Sequence, residues 1–334
     1  EVRRKGETLA RQAVAANDAG IEKAVNDINR LPSQVTTRII SIGDTADEVE
    51  AQIIERSKNK AEVWGINYAW PKISKLTGGK QKGEMTICAA EPKIGKSWWW
   101  LQDALFTAIG NPKMNISETP VFYWCGEMRR TQLMRRFYQL LGVNGRNMKT
   151  GDMTEADWDA LNDAKATIMN SPLYIDDKPI ALHEIRPILV KQKIEHGIEQ
   201  AIFDYAALIQ APGINEIEQS QNTSRELKRV CQDLDIAITL VASVNKSGMD
   251  SKSEEVSKSN VRGSGQQIHD ADNIFVMTKF NGSKYGMDYG IKPQDYDSVI
   301  SLHLTAGREL DHQIENGFIP YRRGTLTPKF EEIT

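Results

Sequence analysis

The sequence predicts an α/β fold in which a mostly parallel central sheet is flanked by helices, preceded by a small helical N-terminal segment. Three observations carry this. From about Trp64 onward, short β-rich apolar runs alternate with helical stretches, the pattern of strands joined by crossover helices. One of those runs leads through a short loop into Gly95-Lys96-Ser97 at the start of a helical stretch. The length, 334 residues, exceeds the ~100 to 200 residues of one ordinary domain, so one large domain with an appendage, or two domains, is expected.

Taken in order, residues 5 to about 30 read as a helix or helical hairpin, because Leu9, Val14, Ile21, Val25 and Ile28 recur at helical spacing and Pro32 ends the pattern. Between 33 and 60 the pattern weakens, with a helix expected over 46–57. Residues 1–60 are therefore read as an appendage and linker, and 61–334 as the main domain. Strands are expected at 85–89, 121–125, 201–203, 237–242, 274–277 and 299–304. Helices should fill the gaps at 96–109, 131–141, 155–168, 182–195 and 224–234. The stretch 246–260, rich in Ser, Lys and acids, should be a solvated loop.

Composition narrows the function classes. A net charge of −3 gives no chain-wide basic field, so any nucleic-acid site must be local. No apolar run approaches the ~20 residues of a membrane span and no signal peptide opens the chain, so no membrane partner is expected. Glu1 in place of an initiator Met points to a processed or excised part of a longer chain. Cys88, Cys125 and Cys231 are odd in number and far apart, which fits neither a disulfide framework nor a zinc site. A reducing, cytoplasmic setting is expected, or the host cytoplasm if the chain is viral. The five histidines show no paired metal-ligand spacing.

The strongest motif is Ala90-Glu91-Pro92-Lys93-Ile94-Gly95-Lys96-Ser97, between an expected strand and an expected helix. A loop of this kind turns successive backbone N–H groups inward as an anion nest, and the helix N-terminus adds partial positive charge. Residues Glu91 to Trp98 are thus candidate contacts for ATP: Glu91, Pro92, Lys93, Ile94, Gly95, Lys96, Ser97 and Trp98. Lys96 would reach the β- and γ-phosphates, and the Ser97 hydroxyl would ligate Mg²⁺. The departure from the pattern is Ala90, where a glycine is usual. Asp204, closing the apolar run Ala201-Ile202-Phe203, is the candidate second metal-associated group. Glu127, two residues past the run 121–125, is the candidate catalytic carboxylate at the sheet's carboxyl edge; it has an alternative role as an ion-pair partner of Arg129 or Arg130. Trp98-Trp99-Trp100 is read as core packing, with base stacking as its alternative.

In order and spacing, these motifs resemble the RecA-like motor domain of DnaB-type replicative helicases. The resemblance rests on Gly78-Gly79, the loop 89–97, Gly126-Glu127-Met128, Thr150-Gly151-Asp152, 172–177, Phe203-Asp204-Tyr205, Ser224-Arg225-Glu226-Leu227-Lys228, Ser264-Gly265 and Asp270-Ala271-Asp272. It spans about residues 64 to 330, and members also carry Ala at the first loop position. It implies a RecA-like P-loop NTPase that hydrolyses ATP with Mg²⁺, translocates on single-stranded DNA and unwinds duplex at a replication fork. A homo-hexamer is implied, as is contact with primase or other replication proteins. Asn245 falls in the γ-phosphate-sensing switch, where Ser243 replaces the family's Gln. Arg308 matches an arginine finger acting on the neighbouring subunit's ATP, while Ala306 replaces the family's Lys. Residues 211–223 and 246–263 would face the ring's channel, with Lys246, Lys252, Lys258 and Arg262 as candidate DNA contacts, offset by Asp250, Glu254 and Glu255. A RecA-fold recombinase or clock-type ATPase remains open, as does a loader or scaffold ATPase that does not unwind DNA.

Overall fold

Strands buried on both faces must be apolar along their whole length, and β1 (Met85–Ala90), β2 (Val121–Cys125) and β4 (Gln200–Asp204) are buried at every position. This is the centre of the sheet in a computed structural model that describes residues 42–59, 63–90, 93–111, 116–243, 269–307, 318–324 and 328–333. With β3 (Leu173–Asp176), β5 (Ala237–Ser243), β6 (Asn273–Lys279), β7 (Val299–Gly307), β8 (Ile319–Arg323) and β9 (Phe330–Glu332), it forms one sheet. The order is β3-β2-β4-β5-β1-β6-β7-β8-β9. Pairings from β3 through β6 are parallel, and those of β6–β7, β7–β8 and β8–β9 are antiparallel. The sheet is thus mostly parallel, with an antiparallel extension on one side.

The helices are α1 (Ile42–Asn59), α2 (Pro71–Thr77), α3 (Lys96–Ile109), α4 (Arg130–Leu140), α5 (Gly145–Thr150), α6 (Glu155–Met169), α7 (Leu182–His196), α8 (Glu216–Leu234) and α9 (Gly282–Tyr285). On one face, α3 and α4 bury Trp99, Trp100, Leu101, Leu105, Leu133 and Phe137 against Cys88, Tyr123, Ile202 and Val241. On the other, α7 and α8 bury Ile185, Leu189, Leu227 and Val230 against Ile87, Phe122, Phe203 and Leu240. Trp99 stacks on Trp70 at 3.5 Å between ring centroids and meets Phe330 of β9 at 5.3 Å. Trp99 and Trp100 are therefore core residues, as read from the sequence.

Two buried polar clusters pin the sheet's amino edge. The Lys80 ammonium donates to Asp103 (2.8 Å), Thr107 (3.0 Å) and Gln200 (3.0 Å), spending all three of its protons. Asp272 accepts the Met85 N–H at 2.7 Å and pairs with Lys228, while Ser224 bonds Asp270. The family motifs at 224–228 and 270–272 thus meet as one structural clasp.

Several expected boundaries shift. α1 begins at Ile42 instead of 46, and α8 begins at Glu216 instead of 224. The Asn215 side chain caps α8 by accepting from Glu218 N–H, with Glu216 and Glu218 favoured at the positive end. The segment 211–223, expected to face the ring's channel, is therefore helical from 216 onward. β3, β8 and β9 were not expected as strands: β3 is four residues and β9 three, and β8 contains Pro320. Strand β7 runs antiparallel because α9 and a 3₁₀ turn, rather than a crossover, join it to β6.

Candidate active site

Six parallel strands end at one edge of the sheet, and their register fixes what gathers there. Ala90, the last residue of β1, pairs with Ser243 of β5 and Met277 of β6. Asp204, the last residue of β4, pairs with Val241 of β5 and Cys125 of β2. One strand separates β4 from β1, so Asp204 stands roughly 10 Å across the sheet from the loop that follows Ala90, at a strand spacing of ~4.8 Å. Glu127, exposed, lies just beyond Cys125. The turn is held by Gly126 N–H donating to the Asp204 carbonyl at 3.0 Å. Gly126 is required here, because a Cβ would stand 2.7 Å from the Trp124 ring.

The loop itself is bent by left-handed backbone. Lys93 has φ 69° and Gly95 has φ 102°, and Gly95 serves as N-cap of α3. A Cβ at Gly95 would also meet the Phe330 ring at 2.9 Å, so both conformation and space demand glycine. Lys96 extends its ammonium over the Tyr205 ring, 3.9 Å from the centroid. Beneath it, Asp204 is fully buried and accepts a hydrogen bond from the Tyr123 hydroxyl at 2.9 Å on Oδ2. Burial raises the pKa of Asp204; Ser97, Lys96 and Tyr123 pull it back, and Glu127 pushes it further up.

Oδ1 of Asp204 is buried and has no hydrogen-bond partner among the described residues. An orphaned carboxylate oxygen beside a serine hydroxyl is a hard-oxygen donor pair, which fits a magnesium ion that keeps most of its waters. Among the described residues, no three or more His, Cys, Asp or Glu side chains cluster as a cation cage.

The family model for the DnaB-like helicase C terminal domain matches residues 65–296. The chain belongs to that family. It is 27% identical over 278 residues to the replicative DNA helicase DnaC of Bacillus subtilis (strain 168), covering 82% of this chain and 58% of the relative. To the replicative DNA helicase DnaB of Geobacillus stearothermophilus it is 28% identical over 261 residues, covering 76% of this chain and 55% of the relative. The chain thus spans somewhat more than half the length of these relatives. A solved structure of a DnaB-like replicative helicase, determined with its interactions with primase, superposes with a TM-score of 0.73 at 19% identity, over 98% of this chain and 75% of that one. The RecA-like α/β fold is shared.

For this DnaB-like domain, the structure brings Gly95, Lys96, Ser97, Asp204 and Glu127 to one edge, and no ion pair of Glu127 with Arg129 or Arg130 occurs among the described residues. Ile94 is buried, Lys93 exposed and Trp98 partly buried. Glu91, Pro92, Asn245, Lys246, Lys252, Lys258, Arg262 and Arg308 lie outside the described residues.

Sequence reading missed three neighbours of the site. Tyr123 sat inside an apolar strand with nothing to flag its hydroxyl. Arg136 of α4 stacks over Trp98 at 4.8 Å, which gives that tryptophan a cationic lid. Arg323, at the end of β8, comes within 3.9 Å of where a Gly95 Cβ would stand. Burial, then the nearby Arg136 guanidinium, lowers its pKa. Strand β8 runs parallel to β6 two strands away, which puts its end at this same edge; that placement required knowing that β8 exists.

Proposed function

We propose that this chain is an ATP-dependent DNA helicase motor that translocates on single-stranded DNA as a hexameric ring and unwinds duplex at a replication fork. The observation that carries it is the convergence of the 93–97 loop, the orphaned Asp204 oxygen and Glu127 at one sheet edge, in a chain of the DnaB-like helicase family. In this reading, the loop N–H groups and Lys96 bind the triphosphate, releasing Lys96 from Tyr205. Ser97 and Asp204 hold the magnesium ion, which would offset charge building on the transferred phosphoryl. Glu127 orients the attacking water and takes its proton.

Arg308 completes the site of the neighbouring subunit in this proposal. Gly307, at the end of β7, pairs with Asn273 at the amino edge of the sheet, the edge away from the chain's own loop. That position of Gly307, away from the chain's own loop, supports a finger that acts in trans. The segment 246–263 contacts DNA phosphates sparingly, and residues 1–60 join the motor to adjoining subunits or proteins such as primase.

A forked-duplex strand-displacement assay with ATP tests the reading. Strand separation that requires ATP and Mg²⁺ is expected. Hydrolysis without separation, at any fork geometry, would return the chain to the loader or scaffold class.

A further inference from the structure

Tyr123 lies in the middle of β2 with no exposed surface, on the face where Val121, Cys125 and Ile202 make an apolar wall. Phenylalanine would fill that space equally well. A buried phenolic hydroxyl costs free energy unless it finds a partner, and this one donates to Asp204 Oδ2 at 2.9 Å. Register explains how it reaches. Tyr123 pairs with Ile202, two residues before Asp204 on β4. Two residues of strand rise span about 6.6 Å, within the reach of a tyrosine side chain along the sheet.

The consequence falls on the other oxygen. The terminal torsion of an aspartate is broad and roughly two-fold, so burial alone does not decide which oxygen faces the 93–97 loop. Holding Oδ2 in a hydrogen bond fixes the carboxylate plane and leaves Oδ1 as the unpartnered oxygen.

We propose that Tyr123 is a positioning residue that orients the Asp204 carboxylate toward the magnesium ion's water shell. This rests on the reading of Asp204 as the metal-associated acid. Partners of this kind, one bond removed from a metal, typically change metal affinity by about 10- to 100-fold when removed.

The test compares Tyr123→Phe, Asp204→Asn and the unaltered chain. A fluorescent, non-hydrolysable ATP analogue is bound while Mg²⁺ is titrated, and thermal unfolding is followed in EDTA. For Tyr123→Phe, the Mg²⁺ midpoint should rise at least about tenfold, with analogue affinity at saturating Mg²⁺ close to that of the unaltered chain. Phenylalanine keeps the ring, so the core should remain packed. A lowered unfolding temperature with an unmoved Mg²⁺ midpoint would make Tyr123 merely structural and overturn the proposal. The Asp204→Asn arm separates the two layers. If it shifts the midpoint and Tyr123→Phe does not, positioning fails while the site stands; if neither shifts it, the assignment of Asp204 fails.

Discussion

Burial raises the pKa of Asp204 above the ordinary 3.8, so the folded state binds its proton more tightly than the unfolded chain does. For a group shifted upward, the stabilising contribution is complete below the unfolded value and is lost as pH rises through the folded one. Wherever the carboxylate is ionised it therefore opposes folding, a cost tolerated where chemistry needs the charge. Asp204→Asn should unfold at a higher temperature than the unaltered chain in EDTA at pH 7 to 8, with the gap narrowing as pH falls, while Mg²⁺-dependent hydrolysis is lost. Equal unfolding temperatures across that range would contradict the burial argument. Lys96→Ala and Glu127→Gln separate binding from chemistry. Removing the ammonium should abolish binding of ATP along with turnover. Glu127→Gln keeps shape and should retain ATP, with turnover reduced about 10²- to 10⁴-fold, the usual worth of a positioned general base; loss of ATP binding would make Glu127 structural.

At the scale of elements, what the sequence disclosed follows from how each contact is encoded. β1, β2 and β4 were legible because burial on both faces forces continuous apolar runs, and the 90–97 loop because its residues are contiguous. Tyr123, Arg136 and Arg323 were not, since each acts through space on a residue far away in the chain. Pro320 hid β8, although it sits at the start of the strand, ahead of the first β8–β9 pair at Tyr321. The Lys80 cluster was equally hidden: a lysine beside two glycines reads as a surface turn, yet its side chain is buried among Asp103, Thr107 and Gln200. It ties the segment before β1 to α3 and to the start of β4. Removing one member of a buried ion pair strands the other charge, at a cost of about 3 to 5 kcal/mol. Lys80→Met should accordingly lower stability by that order in urea unfolding, and Lys80→Met combined with Asp103→Leu should recover part of the loss. A double variant less stable than the single one would show that the cluster matters through packing rather than charge.

The whole molecule adds a geometric constraint that no single element contains. β7 is antiparallel to β6, so its last residue, Gly307, is level with Asn273 at the amino edge, whereas Ala90 is level with Met277 near the carboxyl edge. Four residues of strand rise, roughly 13 Å, separate those levels. Gly307 therefore lies far from the chain's own 93–97 loop, and a ring in which the arginine after it meets the neighbour's loop would resolve the mismatch. If so, Arg308→Ala subunits should bind ATP normally through their own Lys96, Ser97 and Asp204 but hydrolyse it about 10³- to 10⁵-fold more slowly, the range expected for a lost finger. Lys96→Ala subunits have the opposite defect, a dead loop and an intact finger. Mixed rings should contain junctions where a healthy loop faces a healthy finger, and only a finger in trans creates them. ATPase rate is measured against mixing ratio after subunit exchange. A hump between two nearly inactive endpoints is expected; a straight line between them would reject the assignment in trans, because a finger acting in cis leaves every Arg308→Ala loop without its own arginine whatever its neighbour carries.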